Sequence, residues 1–122
     1  MNYTRIYAGE DGDTHFEDLD IKFTPIDFVP PAPLVDLSPV ERAEQIGFLR
    51  VPAHWDAKAH VAPVKAYYIF ISGQWEVTTS DGTMRLFGPG SILRTDDTEG
   101  NGHTTHMVSD TEALAAVIQL PD

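Results

Sequence analysis

Two histidines stand on either side of the stretch that holds most of the strand-forming residues. His60 comes shortly before residues 66–91, and His103 follows them after a glycine-rich turn. A neutral imidazole can take a proton from a substrate and return it elsewhere, and it is also a common metal ligand. If the intervening strands fold back on one another, both side chains lie in one pocket. We therefore predict that His60 and His103 are the catalytic pair.

A metal site at this pocket needs at least a third protein ligand. His15 heads a strand and could reach the same end of the molecule, although no spacing requires it. His54 and His106 are expected at the surface, because alternate strand positions face opposite sides and His106 points outward when His103 points inward. We expect no cofactor. The alternative is one divalent ion, Zn, Fe, Mn or Ni, held by His60, His103 and His15.

The composition limits the partners. The 122 residues predict a single domain over 1–122, and eight basic against 19 acidic residues give a net charge of −11. Such a surface repels nucleic acid and anionic membranes, so neither is an expected partner. The chain has no cysteine, its N-terminal residues lack a signal-peptide pattern, and no segment is apolar enough to span a bilayer. We expect a cytoplasmic protein.

The strand pattern predicts an all-β fold. Short alternating segments recur between turn residues, which is typical of a sandwich or barrel. In the second segment, 15–23, the face that carries His15 is the more apolar and is expected to point inward. The proline-rich segment 25–39 is expected to be an arm that lies across the barrel or a partner subunit, and Ser38–Glu41 has the spacing of a helix cap. The predicted strands cover residues 3–8, 15–23, 46–51, 59–62, 67–71, 75–79, 84–87, 92–95, 104–108 and 113–120.

The glycine spacing from Gly73 through Gly88-Pro89-Gly90 to Gly100-Asn101-Gly102-His103 resembles the cupin superfamily. The resemblance implies a jelly-roll β-barrel, in which three histidines and a glutamate usually hold one metal ion. Residue by residue, His60 and His103 match the first and last histidines of that set. Ala62 stands at the second histidine position and Ala66 at the glutamate position. The resemblance therefore implies a cupin that retains two of the four ligands.

The inward positions predict a small apolar pocket. Tyr68, Trp75, Ala62, Ala66 and Met107 are the expected substrate-binding residues, because the aromatic rings offer flat walls and the alanines leave space.

The first functional hypothesis is a small-molecule-binding cupin that works without metal as a lyase, isomerase or cyclase, with the two histidines moving protons. A metal-dependent, dioxygenase-like cupin and a non-enzymatic sensor remain as alternatives, and whether the protein is an enzyme stays open. Barrel edges need covering and cupins are often dimers, so we expect a homodimer.

Overall fold

The computed structural model describes all 122 residues, and its regular structure consists entirely of strands. This confirms the predicted all-β class. Three predicted strands, 75–79, 84–87 and 92–95, have the expected bounds. The twelve strands are β1 (Asn2–Ala8), β2 (Thr14–Asp20), β3 (Thr24–Ile26), β4 (Val35–Leu37), β5 (Gln45–Val51), β6 (Asp56–His60), β7 (Ala66–Phe70), β8 (Trp75–Thr79), β9 (Met84–Phe87), β10 (Ile92–Thr95), β11 (His103–Met107) and β12 (Ala113–Gln119).

Two sheets enclose the core. The larger has six strands in the order β2-β1-β10-β7-β12-β5, and the smaller has four in the order β6-β11-β8-β9. Only β1 and β10 pair in parallel. The sheets meet through aromatic contacts such as Phe70 with Trp75, whose ring centroids are 5.2 Å apart. The buried apolar core draws on both sheets: Ile6, Val51, Phe70, Trp75, Val77, Phe87, Leu93, Met107, Ala113 and Ala115.

The two faces of β2 are the reverse of the prediction. Phe16 lies opposite the buried Ile6 on β1 and packs on Phe87, while Thr14 is completely buried. His15 instead lies opposite Tyr7, on the outer face of the large sheet. The reversal arises because Thr14 fills an inward position: its hydroxyl donates to the carbonyl of Gly102, which allows a polar side chain to be buried.

The proline-rich arm forms a small ribbon of its own. β3 and β4 pair only with each other, and the large apolar side chains between them, including Phe28 and Leu34, are mostly exposed. The helical turn predicted from Ser38 onward is absent. The segment instead runs across the outer face of the large sheet, where Glu41 bonds to Tyr67 and Arg94. These long-range bonds outweigh a weak local capping signal. No helix that could cross a membrane is present.

One side of the barrel is closed and the other is open. The edge strands β2 and β9 are joined by Phe16 on Phe87 and by Arg85 donating to Asp18 at 2.6 Å. On the opposite side, β5 and β6 are the terminal strands of the two sheets and do not pair. The barrel interior therefore opens between β5 and β6.

Candidate functional site

A small cavity lies between the two sheets at this open side. Its volume is about 80 Å³, and most of its wall is apolar or aromatic. Both predicted histidines, His60 and His103, line it, together with the predicted ligand-binding residues Tyr68 and Trp75. The other lining residues are Leu49, Trp55, Phe70, Val77, Leu93, Thr95 and Thr105. A cavity of this size admits only a small molecule or part of one.

His103 is held by a buried carboxylate. Its Nδ1 lies 2.6 Å from Oδ2 of Asp97, and both side chains are almost entirely removed from solvent. A carboxylate can only accept, so Nδ1–H donates to it and Nε2 is the ring nitrogen that remains for the cavity. The other carboxylate oxygen, Oδ1, is buried without a hydrogen-bond partner. The arrangement fixes the tautomer of His103 and places a negative charge where an imidazolium would be stabilised.

His60 presents the same ring nitrogen from the opposite strand. Its Nδ1 donates to the carbonyl of Lys58 at 2.7 Å, so its Nε2 is likewise free to accept. β6 and β11 pair with His60 directly opposite His103, and the two ring centroids are 4.8 Å apart. Unlike His103, His60 belongs to an exposed strand and lies at the cavity mouth. The pair therefore combines one buried and one solvent-accessible imidazole.

Tyr68 and Trp75 form the aromatic wall. Burial of the Tyr68 phenol, and secondarily the negative charge of Asp97, raise the pKa of this tyrosine above its usual value. The hydroxyl therefore keeps its proton at neutral pH and can donate a hydrogen bond. Trp75 has less freedom, because its indole N–H donates to the carbonyl of Ser72 at 3.0 Å and the side chain is buried.

The remaining predicted ligand-binding residues do not reach the cavity. Ala62, Ala66 and Met107 are buried in the surrounding structure and are absent from its lining. Ala62 lies beyond the end of β6, where its backbone N–H donates to the carbonyl of Asp97. The thioether of Met107 packs close to Gly73. None of the three lines this cavity, and their contact with a substrate stays a prediction.

Asp97 was missed by the sequence reasoning. The run from Asp96 to Glu99 resembles a solvated turn, and nothing local distinguishes Asp97 from Asp96, which bonds to Arg5 and Arg94 on the outer face. The only signal is its position in the connection from β10 to β11, six residues before His103. The resemblance, which leaves Ala66 at the glutamate position, therefore gave no indication of the carboxylate that holds His103.

The proposed metal ligand set is not assembled. His15 lies on the outer face of the large sheet, where its Nδ1 is 2.9 Å from Asp81. No group of three or more histidine, aspartate or glutamate side chains is placed to hold a metal ion. His60 and His103 alone supply two nitrogen ligands, fewer than the three or four that resident zinc or iron sites usually have. The residues present do not fit a complete metal centre.

Comparison with solved structures decides the fold. A Cupin 2 conserved barrel domain protein from Salinispora arenicola superposes with a TM-score of 0.54 at 15% identity, over 83% of this chain and 76% of that one. A cupin domain from Bordetella pertussis gives a TM-score of 0.51 at 16% identity, over 82% and 94%. The chain has a cupin fold. A predicted oxalate decarboxylase from Thermotoga maritima is also similar, with a TM-score of 0.50 at 17% identity over 84% and 95%.

The similarity to cupins is structural. No protein-family model matches the chain, and no curated protein matches it by sequence. Within the cupin fold, this chain keeps His60 and His103 at the cavity but has alanine at positions 62 and 66. A buried carboxylate, Asp97, lies behind His103. The site must therefore be interpreted from its own residues, because cupin folds host unrelated functions.

Proposed function

We propose that the barrel cavity binds a small carbonyl compound and that the two histidines move a proton on it, in a metal-independent isomerisation or elimination. The observation that carries this proposal is the Asp97–His103 pair at the cavity, with the His60 ring 4.8 Å from that of His103. A histidine oriented by a buried carboxylate is a general base whose charged form is stabilised as it accepts a proton.

Each residue has a distinct part in the proposed reaction. Nε2 of His103 takes a proton from the carbon next to the carbonyl. The electron pair of that C–H bond becomes the C=C bond of an enolate, and the π pair of the carbonyl moves to its oxygen. The Tyr68 hydroxyl, which remains protonated, donates a hydrogen bond to the resulting enolate oxygen. His60, which has first taken a proton at Nε2 from solvent at the mouth, gives that proton to carbon as the electron pair returns, or the electron pair expels a leaving group. Exchange with solvent at the mouth restores both rings.

The proposal can be tested without knowing the substrate. Proton NMR in deuterium oxide would follow loss of the α-proton signals of small 2-oxo acids and hydroxy ketones incubated with the protein. We expect exchange of at least one compound, a loss of about 10²–10⁴-fold in His103→Ala, and a smaller loss in Tyr68→Phe. His106→Ala is the matched control, since this residue lies on the same strand but lines no part of the cavity.

Two results would contradict the proposed chemistry. Exchange that persists unchanged in His103→Ala would place the base elsewhere. Binding without exchange, detected as a thermal shift that depends on Tyr68 and His103, would favour the second candidate, a non-enzymatic small-molecule sensor. The small, mostly apolar cavity supports that candidate equally well, because binding requires only the shape of the pocket.

A further inference from the structure

The cavity wall holds hydrogen-bonding groups but no permanently charged one. Its polar side chains are the two imidazoles and the hydroxyls of Tyr68, Thr95 and Thr105. No lysine, arginine, aspartate or glutamate lines it. The basic residues on the neighbouring strands β6 and β5, Lys58 and Arg50, have exposed side chains outside the lining. A ligand in this cavity therefore meets no lysine or arginine that could pair with a negative charge.

A buried negative charge lies beside the cavity. Asp97 is completely removed from solvent, and its Oδ2 is 2.6 Å from Nδ1 of His103. This charge acts on a group in the cavity wall, because burial and, after it, the charge of Asp97 raise the pKa of the Tyr68 phenol. An anion bound in the cavity experiences the same unfavourable potential, and it also loses its hydration.

The charges of the proposed reaction balance only for a neutral substrate. With His60 protonated and Asp97 ionised, the charges around the cavity sum to zero before the reaction. Transfer of the substrate proton to His103 forms an enolate and an imidazolium together, so the sum does not change. It remains zero when His60 gives its proton to carbon and His103 keeps the other. A substrate with its own carboxylate adds a negative charge that no group in the cavity compensates.

On the basis of the proposed proton-transfer function, we propose that the substrate is an uncharged hydroxy ketone or hydroxy aldehyde, and that the cavity excludes carbonyl compounds with a carboxylate or phosphate group. The substrate hydroxyl has uncharged partners in the wall. Thr105 follows His103 by two positions on β11, so both side chains face the cavity. The Thr95 hydroxyl donates to the carbonyl of Ala66 only at 3.4 Å. Hydroxyls and imidazoles thus supply the hydrogen bonds that a small uncharged ligand needs.

A matched pair of probes separates charge from shape. Pyruvate and pyruvamide have the same number of non-hydrogen atoms and the same enolisable methyl group, and only pyruvate is charged at neutral pH. Proton NMR in deuterium oxide measures exchange at the methyl group. Each rate is divided by the rate with free imidazole, which corrects for the different acidities of the probes. We expect the normalised rates for pyruvamide and for hydroxyacetone to exceed that for pyruvate at least about tenfold.

Leu49→Lys supplies the missing cation. Leu49 lines the cavity from β5 and is 36% exposed, so a lysine there can place its ammonium group at the mouth. We expect this variant to raise the normalised rate for pyruvate relative to pyruvamide at least about fivefold. Phe48→Lys is the matched control, because it changes the net charge equally while Phe48 is 75% exposed and outside the cavity lining. In that variant the ratio should stay within about twofold of wild type.

Binding is measured separately from exchange. The indole N–H chemical shifts of Trp55 and Trp75, which both line the cavity, report binding whether or not a proton is exchanged. Equal normalised rates for pyruvate and pyruvamide would overturn the selectivity and leave the proton-transfer function intact. Binding of pyruvamide but not pyruvate, without exchange of either, would support the selectivity and contradict that function. A preference for pyruvate, or failure of all three probes to bind, would overturn the proposed substrate class.

Discussion

At the scale of single residues, the most consequential group is the carboxylate of Asp97. It is completely buried, and its only side-chain hydrogen bond goes to His103. A buried charge is tolerated when it is paired, and it becomes costly when its partner is removed. The same contact that would make His103 a good base therefore also makes it important for stability. His60, at the exposed mouth, carries no such penalty.

This difference predicts unequal effects of truncating the two histidines. His103→Ala should lower the free energy of unfolding by about 3–5 kcal/mol at neutral pH, because Asp97 is left buried and unpaired. His60→Ala should cost less than about 1 kcal/mol, as is usual for exposed positions. Urea unfolding followed by circular dichroism measures both. The double variant His103→Ala/Asp97→Asn should recover part of the loss, because the unpaired charge is gone.

Non-additivity is the decisive result for that pair. If the double variant loses as much free energy of unfolding as His103→Ala and Asp97→Asn lose in sum, Asp97 and His103 are not coupled in solution. Equal losses for His60→Ala and His103→Ala would contradict the difference in burial. Either outcome would also weaken the proton-transfer proposal, because that proposal requires the Asp97 carboxylate to orient His103.

The polar residues of the site differ in how far the sequence predicts them. His60 and His103 were found because few side chains move protons at neutral pH and the two flank one set of strands. Asp97 could not be found in the same way. An aspartate in a polar turn is usually solvated, and burial of this one is made possible by a histidine on the next strand. A long-range partner of that kind leaves no local pattern in the sequence.

At the scale of elements, the turn before β11 brings the histidines together. Gly102 has a φ of +73°, and a Cβ added there would fall on the carbonyl of His60. Only glycine permits this close approach of β6 and β11 without a shift of the backbone. The two imidazole rings can therefore lie side by side because the residue before His103 has no side chain.

Gly102→Ala should separate the rings and destabilise the protein. Gly82→Ala is a matched control, because Gly82 also has a positive φ, +90°, but a Cβ there meets nothing within 4 Å. Both changes strain the backbone by about 1–2 kcal/mol, and only the first also forces β6 away. We expect a larger loss of stability for Gly102→Ala and loss of the nuclear Overhauser effect between the two rings. Equal losses of stability in the two variants, with the nuclear Overhauser effect between the rings retained, would show that β6 and β11 can shift to accommodate the Cβ.

The β8–β9 turn has a distinct dependence on pH. The hydroxyl of Thr79 donates to Asp81 at 2.6 Å, the backbone N–H of Thr83 donates at 3.0 Å, and His15 lies 2.9 Å away. The first two bonds are the main causes that lower the pKa of Asp81 from 3.8 to about 2. A carboxylate with a lowered pKa in the folded state stabilises the fold above its unfolded pKa, and this contribution is lost as the pH falls through the folded value.

Asp81→Asn should therefore reduce stability by a constant amount above about pH 4 and by progressively less down to pH 2. Urea titrations at several pH values would show the curves of variant and wild type converging in acid. Asp36→Asn on strand β4 is the control, because the Asp36 side chain is exposed and makes no hydrogen bond that the substitution could remove. A difference that stays constant down to pH 2 would contradict the role assigned to the turn.

Element bounds were predictable where turn residues flank the strand on both sides. Ser72-Gly73, Asp81-Gly82 and Gly88-Pro89-Gly90 enclose β8 and β9, and these strands match the prediction. The face of β2 was not predictable, since the more apolar face, which includes Leu19, points outward while Thr14 is buried. Tertiary hydrogen bonds therefore decided the orientation against the polarity pattern. The prediction of a helical turn after Ser38 was wrong for a similar reason, because Glu41 accepts a hydrogen bond from Arg94 on the sheet.

At the scale of the whole molecule, the residues that form the cupin fold are different from those that a metal site inside the barrel requires. The jelly roll needs alternating apolar strands and glycine turns, and the chain has both. Metal binding inside the barrel needs several converging ligands, and here only two histidines converge. The resemblance could therefore predict the architecture without predicting the chemistry. The core that stabilises this architecture is apolar and continuous between the sheets, and it includes neither histidine.

These ligands predict the metal content of the protein. Two imidazoles leave half of a tetrahedral site to water, so we expect well under one zinc, iron, manganese or nickel per chain. Plasma mass spectrometry should use untagged protein purified without chelator, because a histidine tag would supply the missing ligands. The midpoint of thermal unfolding should also be unchanged by EDTA. About one ion per chain, lost in His60→Ala, would contradict this expectation and favour a metal-dependent cupin in which His60 and His103 are ligands.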